Sequence, residues 1–203
     1  MKKGCLIALI VGVVVVLIFG LGMYSYIKNT YNNMVTLEEN VTQKWAQVEN
    51  VYQRRADLIP NLVEVVKGYA NFERETLEAV INARSKVGGQ INVGPEMLNN
   101  PEAFAQFQQS QGALTSALQR LMVVVERYPE LKADQRFADL QVQLEGTENR
   151  IAVERGRFNE AVQGFNTTIR QFPTNLIAGF FGFNQKVYFK ADAGAEKVPE
   201  VQF

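Results

Sequence analysis

The sequence predicts an all-α protein: a single N-terminal transmembrane helix, then an antiparallel four-helix up-and-down bundle, then an irregular aromatic C-terminal tail. Three observations carry this prediction. The stretch Gly4 to Ile27 reads GCLIALIVGVVVVLIFGLGMYSYI and holds no charged residue. From Met34 to Phe172, apolar residues recur every three or four positions, the period of a helix face. Breaks rich in Pro, Gly or Asn are few and fall between these stripes. The expected organisation is a short tail over residues 1–4, the membrane helix over 5–27, the bundle over 28–172 and the tail over 173–203.

A bilayer core about 30 Å thick needs roughly 20 apolar residues at about 1.5 Å each, so the first run is long enough to cross with some tilt. A cleaved signal peptide, which also begins with basic residues such as Lys2 and Lys3, has an apolar region of only about 7 to 15 residues. Here the run continues through Gly20, Leu21 and Met23 to Tyr24 and Tyr26, an aromatic pair suited to the headgroup level, with Lys28 beyond. The expectation is therefore a retained anchor that meets the lipid bilayer through residues 5–27. Lys2, Lys3 and the α-amino group lie on one side, against Lys28 alone before Glu38 and Glu39. The positive-inside rule then puts the N-terminus in the cytoplasm and the rest of the chain outside it.

Beyond the anchor, Met34, Leu37, Val41, Trp45, Val48 and Tyr52 form one stripe, and no Gly or Pro between Lys28 and Asp57 separates this helix from the span. Pro60 disfavours the α region at Ile59 and suits the first turn of a helix, so a hairpin corner is expected at RRADLIPNL. A second helix should follow to Val87, with Leu62, Val66, Tyr69, Leu77, Val80 and Val87 inward and Val65, Phe72 and Ile81 widening the stripe. Gly88-Gly89 ends it, and a polar segment to Asn100 makes the one long connection. Phe104, Phe107, Gln111, Leu114, Leu118, Leu121, Val125 and Tyr128 mark a third helix whose apolar seam is interrupted only by Gln111. A fourth begins near Asp134, a plausible cap, and runs through Phe137, Leu144, Thr147, Ile151, Phe158, Val162, Phe165 and Ile169 to Phe172. The tail after Pro173 carries Phe180, Phe181, Phe183, Tyr188 and Phe189 among too many Gly and Asn residues to be read as a helix.

The composition removes several classes of function. Lys plus Arg and Asp plus Glu balance at 21 each, leaving no net field to gather nucleic acid. Without histidine the chain lacks the commonest general base and zinc ligand, together with every Ser-His-Asp or Cys-His arrangement. The one cysteine, Cys5, lies at the membrane edge and leaves the rest of the chain without a thiol nucleophile. No phosphate-binding glycine pattern is present, and no cofactor is expected.

The run Arg54-Arg55-Ala56-Asp57-Leu58-Ile59-Pro60-Asn61-Leu62, continuing to Gly68-Tyr69, resembles the LemA family of bacterial membrane proteins. So do Tyr31-Asn32 with Trp45-Ala46-Gln47, Tyr128-Pro129-Glu130-Leu131-Lys132, Leu144 to Ile151, and Phe172-Pro173-Thr174-Asn175, in the family's usual order. The resemblance covers nearly the whole chain. It implies a short tail, one membrane helix and an up-and-down helical bundle in a bacterial cytoplasmic (inner) membrane, with no established biochemical activity. Family descriptions have also proposed the opposite orientation, with the amino terminus outside the cell.

Two groups of residues are candidates for function. Arg54, Arg55 and Asp57 at the expected corner form either a partner-docking patch or a set of local caps and pairs. The aromatic residues Phe180, Phe181, Phe183, Tyr188 and Phe189 form either a flap packed on the bundle or a surface for a partner, a second copy or the membrane. Glu145, Glu148 and Arg155 fall near one helix face as a polar network. Solvated or interhelical ion pairs are their simplest role, a cation held by oxygen ligands the alternative. The overall expectation is a non-enzymatic, membrane-anchored adaptor, scaffold or self-assembling component with an unknown protein partner. A tether or shaper of membranes that uses the aromatic tail is the alternative, and an enzyme working through Asp and Glu alone is the remote one.

Overall fold

The computed structural model describes residues 3–69, 73–88 and 94–190. Lys2, Phe72, Gly89 and residues 191–203 of the tail, which the sequence reading used, lie outside these residues. Six α-helices follow in order: α1 Lys3–Lys67, α2 Arg74–Gly88, α3 Pro101–Val125, α4 Pro129–Lys132, α5 Gln135–Arg170 and α6 Thr174–Phe181, with a 3-10 turn at Pro95–Asn99 before α3. Every regular element among the described residues is helical.

The expected corner at Pro60 is corrected: α1 continues through it to Lys67. A proline inside a helix removes the N–H that would bond the carbonyl four residues earlier, and here that carbonyl belongs to Ala56. Arg84 of α2 supplies the missing donor, its Nε–H lying 2.9 Å from the Ala56 oxygen. The proline ring itself is on the exposed side of α1, while Ile59 and Leu62 beside it are fully buried. Leu62 and Val66 thus belong to α1, which ends at Lys67, and α2 begins at Arg74.

The described residues fall into two compact units, one drawn from Met1–Asn40 and Gln163–Gln185, the other from Val41–Val162 and Lys186–Phe203. In the second, one apolar core joins Ala56, Ile59, Leu62, Val63 and Val66 of α1 to Leu77, Val80, Ala83 and Val87 of α2. Leu114 to Val125 of α3, Leu131 of α4, and Phe137, Leu140 and Leu144 of α5 complete it. An aromatic layer in the same unit centres on Trp45, 1% exposed, with the rings of Phe107, Phe158 and Phe104 at 5.4, 5.5 and 5.9 Å. Burial at this density is what holds amphipathic helices in place.

Local sequence sets the helix starts in this unit. Asn100 Oδ1 accepts the N–H groups of Glu102 and Ala103, both at 3.1 Å, and opens α3. Asp134 Oδ1 does the same for α5, accepting from the N–H of Arg136 at 2.8 Å and of Phe137 at 3.4 Å, as the sequence predicted.

In the first unit, Met34 of α1 and Phe165, Ile169 and Ala178 are buried. The part of the tail expected to be irregular is here a helix, α6. Leu176, Ile177 and Ala178 favour it, and Gly182 ends it rather than disrupting it, taking φ 78° as the left-handed residue just past the last turn. Residues 183–190 then run without regular secondary structure.

A polar cleft around a buried arginine

The second unit contains a cleft of about 490 Å³ whose walls come from three helices. Helix α1 contributes Tyr52 and Arg55, α3 contributes Gln108, Gln111, Gly112, Thr115, Ser116 and Gln119, and α5 contributes Glu148, Ile151 and Arg155. These positions recur at three- and four-residue intervals on each helix, so each set lies on one face.

Arg55 is 1% exposed although it carries a full charge. Taking such a charge out of water is costly unless it is paired and hydrogen-bonded. One guanidinium nitrogen donates to Glu148 Oε1 at 2.7 Å and to Thr115 Oγ1 at 2.9 Å, and the other donates to Gln111 Oε1. The Tyr52 ring lies 5.2 Å from the guanidinium carbon. Thr115 in turn donates to the Gln111 backbone carbonyl at 3.2 Å, which fixes its hydroxyl. Two buried donors are left over: Arg55 Nε–H and the Gln111 side-chain amide have no acceptor among the described residues. Each such group costs about 1–3 kcal/mol while it stays unpaired. An apolar groove of about 630 Å³ adjoins the cleft; it shares Thr115, Gln119 and Glu148 and adds Leu118, Met122, Val123 and Leu144.

The candidate residues are distributed as follows. Arg55 and Glu148 meet in the cleft, and Arg155 lines its edge. Arg54 and Asp57, one and two residues from Arg55, are exposed, and Asp57 accepts from Gln53 Nε2 at 2.7 Å. Glu145 accepts from Gln141 at 2.9 Å and lines the adjoining groove. Arg155 donates to the Lys190 carbonyl at 3.0 Å and stacks its guanidinium 4.8 Å from the Phe189 ring centre. Phe189 is 5% exposed and packs on Trp45 and Phe104, so it is a core residue and not a free surface. Its backbone is clamped by one side chain: Asn159 accepts from the Phe189 N–H at 2.9 Å and donates to its carbonyl at 3.0 Å. Tyr188 is exposed, whereas Phe180, Phe181 and Phe183 belong to the first unit.

Gln111 and Thr115 were not among the sequence-derived candidates. The signal was present: Gln111 is the one polar residue in the α3 seam, and a polar residue at a core position needs a partner. That partner is hidden, because Arg55 lies on another helix 56 residues earlier in the chain.

One helix among the described residues, within Leu9–Lys67, is long and apolar enough to cross a membrane. The class defined is a helical protein with one candidate membrane span and a polar cleft between packed helices. More narrowly, the chain belongs to the LemA family, whose model matches residues 44–203. It is similar to the magnetosome proteins MamQ 1 and MamQ 2 of Paramagnetospirillum magneticum, each 29% identical over 175 residues, covering 79% of this chain and 64% of theirs. Protein LemA of Metamycoplasma hominis is 25% identical over 162 residues, covering 79% of this chain and 69% of that one. The chain thus spans less than two thirds of the length of the magnetosome relatives.

Proposed function

We propose that this is a non-enzymatic adaptor, anchored in the bacterial inner membrane, and that the cleft around Arg55 is where it holds a protein partner. The observation that carries this reading is a polar cleft, edged by half-buried Glu148 and by Gln119 and Arg155, that adjoins an apolar groove and shares three residues with it. A partner segment with a polar side chain for the cleft and an apolar side chain for the groove fits both. That segment belongs to another protein or to a second copy of this chain. The shared core of α1, α2, α3 and α5 supports reading the second unit as the four-helix bundle that the apolar stripes predicted. The charge distribution supports a cytoplasmic amino terminus with residues 28–203 outside the cytoplasm.

Photo-cross-linking from Gln119 of the full chain in bacterial membranes tests this. Gly112 lines the cleft and a Cβ added there meets no atom within 4 Å, so Gly112→Met adds bulk to the cleft without a clash at its Cβ. An adduct of defined mass is expected from Gln119, at twice the chain's mass if the partner is a second copy. It should be lost with Gly112→Met while the thermal midpoint is no lower than that of the natural chain, since a glycine inside α3 is being replaced by a helix former. The reading falls if Gln119 gives no adduct beyond that from exposed Val153, or if Gly112→Met leaves the adduct intact.

A further inference from the structure

In the first unit, α6 and the residues just before it expose several large apolar side chains. Phe172, Leu176, Phe180 and Phe181 are 81%, 64%, 84% and 46% exposed, whereas Ala178 is 2% exposed. Leu176 and Phe180 are four residues apart on a helix and share a face. No charged residue occurs from Gln171 to Gln185, and the polar groups in that stretch are only amides and the Thr174 hydroxyl. Single exposed apolar residues are ordinary on a protein surface; a contiguous uncharged set is not.

The location of α6 along α1 says what covers this face. The Phe181 ring packs 4.8 Å from the ring of Tyr31, and Phe183 packs on the same tyrosine at 5.7 Å. Tyr31 lies four residues past Ile27, where the uncharged run ends, which is about 6 Å along the helix axis at about 1.5 Å per residue. The headgroup region on each side of a bilayer is about 5–7 Å deep. A helix pinned to Tyr31 therefore stands at headgroup level, where aromatic rings and uncharged polar groups are favoured.

We infer that α6 is an interfacial membrane helix, seating Leu176 and Phe180 in the lipid surface beside the span. The occupant of its exposed face is lipid, because α6 is held at Tyr31, one helical turn beyond a span whose apolar side chains are themselves exposed. Tyr188 and Phe189 take no part, since they belong to the other unit. This inference rests on Gly4–Ile27 being a membrane span and is independent of the cleft.

The test uses the full chain with Cys5→Ser, reconstituted in vesicles of phosphatidylethanolamine and phosphatidylglycerol. Nitroxide labels are placed singly through Leu176→Cys, Phe180→Cys, Val14→Cys in the span and Val123→Cys on α3, all at exposed positions. Collision rates with oxygen, which concentrates in lipid, and with a water-soluble nickel chelate are then measured. At 176 and 180 the expected result is oxygen collision above that at 123 and nickel collision several-fold below it. Nickel collision equal to that at 123 overturns the inference, and so does protection from both reagents, which means a protein covers the face. The label at 14 separates the two failures: if it also reads as aqueous, the span reading falls, and if it reads as lipid, only the role of α6 does.

Discussion

Arg84 and Pro60 are 24 positions apart and act as a pair. Proline leaves the Ala56 carbonyl without its helical donor, and the arginine reaches across from α2 to replace it at 2.9 Å. Losing one partly buried hydrogen bond costs about 1 kcal/mol, since the carbonyl is otherwise stranded beside buried Ile59. Arg84→Met should lower stability by that amount in urea unfolding. In a Pro60→Ala chain the backbone N–H returns, and the same Arg84→Met substitution should then cost measurably less. Equal costs in the two backgrounds show that Arg84 acts by some other contact. From the sequence alone Pro60 reads as a corner, because a proline's local effect is to break a helix. What overrides it is a donor from another helix, which no local rule can see. Arg55 stands three residues past Tyr52 on the inward stripe, but its partners on α3 and α5 are far away in the chain and no local rule points to them.

Elements join where local and long-range contacts fall on one residue, and Asp134 is such a point. It caps α5, a role legible in the sequence because capping depends on the next two or three residues. It also accepts the Tyr69 hydroxyl at 2.9 Å, which ties the segment after α1 to the start of α5. The Arg136 side chain, then Tyr69 and the backbone N–H groups of Arg136 and Phe137, hold the Asp134 carboxyl well below its ordinary value of 3.8. A carboxylate whose pKa is depressed by folding stabilises the fold above its ordinary value, and that stability is lost as pH falls toward the folded value. The Tyr69 hydroxyl is raised above its ordinary 10.0, chiefly by the bond to Asp134, so its share is present below pH 10 and lost as pH rises further. Asp134→Asn keeps a capping oxygen but cannot ionise. Its urea midpoint should lie below that of the natural chain at pH 7, and the gap should close as pH drops below 3.8. A gap constant from pH 7 to pH 2 means that the charge contributes nothing. The α6 helix shows the opposite limit of legibility, because its Gly and Asn content argues for a loop while packing of Ala178 and the Phe181 ring favours a helix.

For the whole molecule, the helical character of the described residues and the candidate span among them were legible, because a 3.6-residue period and an uncharged run of membrane length are properties of the sequence itself. Which polar residues converge was not, because the cleft depends on three helices far apart in the chain. Orientation is the property that decides which partners can reach that cleft. Lys2 and Lys3 outweigh Lys28, and positively charged flanks stay in the cytoplasm, so residues 28–203 are expected outside it. A Cys5→Ser, Val123→Cys chain places one thiol on an exposed position of α3. In intact spheroplasts a membrane-impermeant maleimide should label it as fully as in lysed ones. Lys2→Glu with Lys3→Glu then leaves Lys28 as the dominant flanking charge and should reduce the fraction labelled before lysis. Labelling that appears only after lysis in the unaltered flank sinks the orientation and turns the search for the cleft's partner to cytoplasmic proteins. A labelled fraction that ignores the charge reversal means that something other than the flanking lysines sets the topology.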